Sequence, residues 1–153
     1  MCPNPWCRRY LRAILEPQLT PVVPEDVRGL FEVARGVMVY GWLFYPLYTL
    51  GAEQCYRVVE AAVNLRYQQA GGMQSRVTGK KARPIDLSAK LQWLTGKGII
   101  LEEGKLRWDS LRKLRNMASH PRHQSLCLPT QAISTLCDCS EVINLLFREQ
   151  CVE

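Results

Sequence analysis

Pro46-Leu47-Tyr48-Thr49-Leu50-Gly51-Ala52-Glu53-Gln54-Cys55-Tyr56-Arg57-Val58-Val59-Glu60, continued by Ala61-Ala62-Val63-Asn64-Leu65-Arg66-Tyr67-Gln68-Gln69, reads as one long helix. Leu50, Cys55, Val58, Val59, Ala62 and Leu65 recur at steps that place them on one face. Pro46 suits a first helical turn, where its missing N–H costs nothing, and Gly71 with Gly72 stops the run. A helix of this length with a single apolar face needs other helices to cover it.

The flanking segments supply them. Upstream, Glu25 and Asp26 follow Pro24 and place acids in a first turn, and Leu30, Val33, Ala34 and Val37 mark an inward face until Gly41 interrupts. Downstream, Asp86 is an N-cap for a short helix through Leu87, Leu91 and Leu94 that ends at Gly96 and Gly98. Asp109 or Ser110 caps a further helix whose buried stripe is Leu111, Leu114, Met117 and Ala118, and Pro121 closes it. A last helix follows Pro129 and Thr130 with Ile133, Leu136, Cys137, Ile143, Leu146 and Phe147 inward. Residues 71–85 form a basic loop of little apolar content, expected to gain order from a ligand. No strand is expected, Ile99 to Arg107 being the one stretch with room for a short hairpin. Residues 1–24 carry five prolines and read as an arm with at most one short helix, near Trp6 to Leu15. The expectation is therefore an all-α antiparallel bundle of four to five main helices over residues 25–153, preceded by a proline-rich arm.

Composition narrows the function. The chain has 153 residues, is 47% hydrophobic and carries a formal charge of +6. Between residues 70 and 122 stand twelve Lys or Arg against four Asp or Glu, while the rest of the chain holds eight bases and ten acids. Such a block attracts a polyanion, although a solvated face without a ligand fits the same count. Seven cysteines, at 2, 7, 55, 127, 137, 139 and 151, form an odd set without a CxxC pair, and no early apolar segment suggests export. Reduced thiols in the cytoplasm are expected. Cys137 and Cys139 are too close for an ordinary zinc knuckle, so no metal and no cofactor is expected, and Cys137 reads as core. The uncharged stretch 36–52 is shorter than the ~20 residues of a membrane span and reads as a buried helix junction. Trp42, Trp93 and Trp108 read as core, with base stacking the lesser alternative.

The chemistry concentrates in Leu111-Arg112-Lys113-Leu114-Arg115-Asn116-Met117-Ala118-Ser119-His120-Pro121, where a histidine, an arginine and an amide meet on one element. Asn116 and His120 are four apart and share a helix face. At the helix's carboxyl end the dipole favours a protonated imidazole, which suits His120 to carry a proton, and the fork of Arg115 suits a phosphate. RNA supplies its own nucleophile in the 2′-hydroxyl, so a base, an acid and a cation suffice for its cleavage without a metal. The plainer alternative is that Arg115 and His120 only satisfy backbone carbonyls at a helix end.

This run, Leu-Arg-Asn-Met-Ala-Ser-His-Pro, resembles the signature of the HEPN superfamily, with four residues between Arg115 and His120. The segment from Tyr45 to Glu60 is similar to the second helix of those proteins, and the resemblance covers about residues 25–150. It implies a HEPN-like bundle that forms a homodimer, so that two Arg-x4-His motifs face each other in a composite ribonuclease site. Arg115, Asn116 and His120 are then the catalytic residues, with Ser119, Glu60, Arg57 and His123 as supporting candidates. Glu60 and Arg57 read equally as a structural ion pair, and His123 is the alternative second proton carrier. Arg76, Lys80, Lys81, Arg83, Arg112, Lys113 and Arg122 are the expected RNA contacts. The implied role is a toxin or antiviral effector, with an antitoxin or regulatory protein as a further partner. The rival readings are a non-catalytic HEPN module binding RNA, nucleotide or protein, and a DNA-binding accessory of a restriction system. Arg122 replaces the tyrosine that, in a subset of these toxins, is modified by a nucleotidyltransferase partner.

Overall fold

The computed structural model describes residues 5–73, 75–78, 81–118 and 126–148. Among the described residues six helices pack together: α1 (Pro5–Leu15), α2 (Glu25–Val39), α3 (Leu47–Gln69), α4 (Leu87–Gly96), α5 (Lys105–Ala118) and α6 (Pro129–Leu146). None of them is long and apolar enough to cross a membrane.

The central helix α3 starts behind Pro46 and ends at Gln69, followed by Gly71 at φ +85°. Only a residue without a Cβ takes that backbone readily. Its inner face is Ala52, Cys55, Val58, Val59, Ala62 and Val63, while Leu50 is exposed. The 3-10 turn Tyr40–Trp42 folds α2 back along α3. The buried face of α2 is Val27, Phe31, Ala34 and Met38, one residue round from the expected Leu30, Val33, Ala34 and Val37. Both sets have helical spacing, and the one with the larger side chains fills the core, leaving Leu30 and Val33 exposed.

Asp86 caps α4 as expected, accepting a bond from the N–H of Ala89 at 2.7 Å. Gly98, at φ +71°, ends it with Ile99 N–H donating to the Leu94 carbonyl, the Schellman arrangement. The stretch Ile99 to Arg107 holds a 3-10 turn (Glu102–Gly104) and the start of α5, so no strand forms there. That turn leads the chain into α5 four residues before Asp109, which therefore is not a cap and lies 3.5 Å from Arg112 within the helix. Trp108 and Leu111 are buried, whereas Leu114 and Met117 of the expected stripe are exposed.

Residues expected as a basic loop contain a β-hairpin, β1 (Ser75–Thr78) and β2 (Lys81–Pro84), with Arg76 in register with Arg83 and Thr78 with Lys81. Backbone pairing requires no apolar face, which is why a charged segment forms a ribbon that its side-chain pattern does not announce. The core itself is made by helices.

A strictly antiparallel order gives way at α6. The Cys127 N–H donates to Thr49 Oγ1 at 2.9 Å, and the Cys139 thiol donates to the Cys55 carbonyl at 3.6 Å. Position rises along both helices together, so α3 and α6 run parallel. The hairpin, α4 and α5 together are long enough to return the chain to the starting end of α3.

The opening segment is joined to this core. Ile14 and Val23 are buried in it, and Asn144 of α6 binds both the Thr20 N–H and the Gln18 carbonyl at 2.9 Å. Among the described cysteines, Cys55 and Cys139 are fully buried and Cys137 only half so, which corrects the assignment of Cys137 to the core. Trp108 is buried and Trp93 packs edge-on to Tyr67, but Trp42 is 50% exposed and lies outside the core.

Candidate functional site

Arg115 sits in the last turn of α5, where the helix dipole is negative and a cation is stabilised. Its side chain crosses to the middle of α3. Nε and Nη2 donate to Glu60 Oε2 at 3.2 and 2.9 Å, and Nη1 donates to Asn116 Oδ1 at 3.4 Å. A carboxylate gripping two donors of one guanidinium fixes the plane of that group as well as its position. Both partners are about one-third exposed, 38% for Arg115 and 34% for Glu60, so solvent weakens the attraction and the pair orients more than it stabilises.

Three of the expected residues, Arg115, Asn116 and Glu60, thus converge. Arg57 does not join them: it is exposed, and among the described residues no ion pair links it to Glu60. The expected pairing of Glu60 with Arg57 is replaced by one with Arg115, because the α3–α5 contact brings the longer-range partner within reach. Ser119, His120, Arg122, His123 and Lys80 lie outside the described residues, as do the side chains of Arg76, Lys81 and Arg83. His120 follows two residues after the last residue of α5, and the chain is described again at Leu126 and Cys127, tied to Thr49. Arg115 and Cys127, described residues on either side of 119–125, are therefore both tied to α3.

Arg112, one turn before Arg115, is largely covered, and Lys113 is exposed. Tyr56, Trp108, Arg112 and Arg115 surround a cavity of about 10 Å³, room for at most one water. A substrate of any size would lie across the surface here. Burial pushes the Tyr56 hydroxyl above its ordinary range, against the opposing effect of a hydrogen bond with Thr135. Tyr56 stays a neutral donor and acceptor near this cluster. Among the described residues no group of three His, Cys, Asp or Glu stands close enough to hold a metal.

Sequence reasoning missed an aromatic group at the amino end of α3, where Tyr10, Trp42, Tyr45 and Tyr48 line one cavity. Its signal was visible in the density of aromatic residues with polar tips between Tyr40 and Tyr48, which the lack of charge made look like core. No protein-family model, curated protein or solved structure matches the chain.

Proposed function

We propose that the protein is a metal-independent endoribonuclease of the HEPN type, acting as a homodimer in a toxin or antiviral role. The observation that carries this reading is the Glu60–Arg115–Asn116 cluster at the carboxyl end of α5, two positions before His120 in the sequence. A helical bundle with one long central helix is in keeping with it.

In this reading an imidazole removes the 2′-hydroxyl proton, the oxygen attacks the adjacent phosphorus, and the 5′-oxygen leaves with a proton. The products are a 2′,3′-cyclic phosphate and a free 5′-hydroxyl. Arg115 offsets the charge that builds on the phosphoryl oxygens, Asn116 adds a donor, and Glu60 is a positioning residue for Arg115. One displacement needs a base and an acid, and two protomers supply two copies of His120. The basic block from residue 70 to 122, with Lys113 exposed beside the cluster, holds the strand by its phosphates.

The contact with Glu60 also favours a second reading, a HEPN module that binds RNA or a protein without cutting, since a carboxylate beside Arg115 offsets part of its charge. Incubating a mixed RNA pool with the purified protein in EDTA separates the two. Cleavage leaving cyclic phosphate ends, falling ~10²-fold or more in His120→Ala and in Arg115→Ala, is expected for the nuclease. Undiminished cutting by His120→Ala, or none by the wild-type dimer, removes it.

A further inference from the structure

Between α2 and α3 the chain turns through Tyr40-Gly41-Trp42-Leu43-Phe44-Tyr45, and all of these but Gly41 stand in solvent, from 40% exposed for Tyr45 to 79% for Leu43. At about 200 Å² for each whole residue the five leave about 600 Å² in the open. Leu50, one helical turn beyond Pro46 and itself exposed, brings the patch to about 700 Å². The largest apolar patch of a typical monomer is about 300–600 Å², whereas each partner in a standard protein interface contributes about 800 Å². The area is that of a contact face. Its side chains agree, since Trp, Tyr and Phe are the residues that protein interfaces gather.

Charge and shape select the occupant. No residue from Gly36 to Ala52 is charged, in a chain of formal charge +6. Two copies of such a chain repel each other, and a neutral face is where they can meet without setting like charges opposite one another. A charged partner would find nothing on this turn to pair with. The face also carries both a hollow and something to fill it. Tyr10, Trp42, Tyr45, Tyr48 and Pro129 surround a cavity of about 340 Å³, and about 150 Å³ is enough to hold a benzene ring. Leu43 and Phe44 lie between Trp42 and Tyr45 in the chain, take no part in that wall and are exposed. Around a two-fold axis one patch meets itself, so a protrusion beside a hollow supplies both halves of the contact. We propose that a second copy of this chain covers the turn Tyr40–Tyr45, with Leu43 and Phe44 of each protomer entering the aromatic cavity of the other. The nuclease reading calls for two copies without naming the surface that joins them, and this face is assigned on its own area, charge and shape.

The test is the mass of the full chain in sedimentation velocity over a series of micromolar concentrations, with helix content followed by circular dichroism. The wild type should sediment at twice the 17.5 kDa of one chain. Leu43→Asp and Phe44→Asp should each raise the dissociation constant by about a hundredfold or more with helix content unchanged, because a two-fold contact loses the side chain twice and gains two carboxylates against apolar rings. Leu43→Met should stay dimeric. So should Leu106→Asp, which sets the same charge on α5 at a residue as exposed as Leu43. A wild type that stays at 17.5 kDa throughout overturns the proposal, whether the exposed rings then take up neutral phospholipid vesicles or a small aromatic molecule. A dimer that both aspartates in the turn leave whole overturns it too, as does one that Leu106→Asp splits equally. A wild type that dimerises through this turn and cuts no RNA in EDTA sinks the nuclease and leaves the interface standing, and cleavage by a dimer insensitive to Leu43→Asp does the reverse.

Discussion

Arg115 takes its orientation from a residue on another helix, and this separates its local environment from its chemistry. Replacing Glu60 with Ala removes a partly solvated ion pair, so stability should fall by no more than ~1 kcal/mol in a urea titration. RNA cleavage should fall by more than tenfold, because the guanidinium loses the carboxylate that sets its plane. A loss confined to stability would make the contact structural. A second residue-level expectation concerns Cys139, whose thiol is pushed well above its ordinary 9.0 by its hydrogen bond with Cys55 and then by burial. The folded state keeps a proton that the unfolded chain releases, so this contribution is full below the ordinary thiol value of 9.0 and is lost as pH climbs past it. Cys139→Ala should flatten the alkaline side of the stability profile, read as unfolding midpoints at neutral and alkaline pH. A parallel drop in variant and parent would show that other groups set the alkaline limit.

At the scale of elements, helix α3 lies close against α2 at Gly51, where a Cβ would lie 2.4 Å from Met38 Cγ and 3.3 Å from the Ala34 carbonyl. Met38 is fully buried and has no room to retreat. Gly51→Ala gains about 1 kcal/mol of helix propensity and meets overpacking of about 1–3 kcal/mol, so a net loss of stability is expected by thermal unfolding. A stabilised variant would mean the two helices can separate freely. These elements were legible to different degrees. Pro46 and Asp86 announce their helix starts because proline and a capping carboxylate act within a single turn. The faces of α2 were not resolved, since Leu30 and Val33 satisfy the same spacing as Phe31 and Met38, and only the shape of the partner helix chooses. Asp109 looked like a cap because the 3-10 turn ahead of Lys105 has no side-chain signature. Within the site, Arg115 and Asn116 were readable because they are neighbours. Glu60 was matched to Arg57, a near neighbour on its own helix, because a contact between α3 and α5 has no local trace.

For the whole molecule, the question is whether the proline-rich opening is an appendage or part of the body. Ile14 is 2% exposed and shares the core with Val23 and Val27. Ile14→Ala should therefore cost about 2–5 kcal/mol, a large share of the 5–15 kcal/mol that holds a typical domain. Denaturant unfolding monitored by circular dichroism gives the value, and a cost under ~0.5 kcal/mol would return the opening to the status of a loose arm. The parallel course of α3 and α6 has a consequence of the same scope. Thr49 steadies Cys127 and Glu60 steadies Arg115, so two residues far apart in the sequence hang from one rod. Sliding that rod along its axis moves both suspension points together and keeps their spacing, whereas bending it between Thr49 and Glu60 alters the span. Damage to the middle turns of α3 should thus change the separation of Arg115 and Cys127 more than a shift of the entire helix, even when neither residue nor its partner has changed.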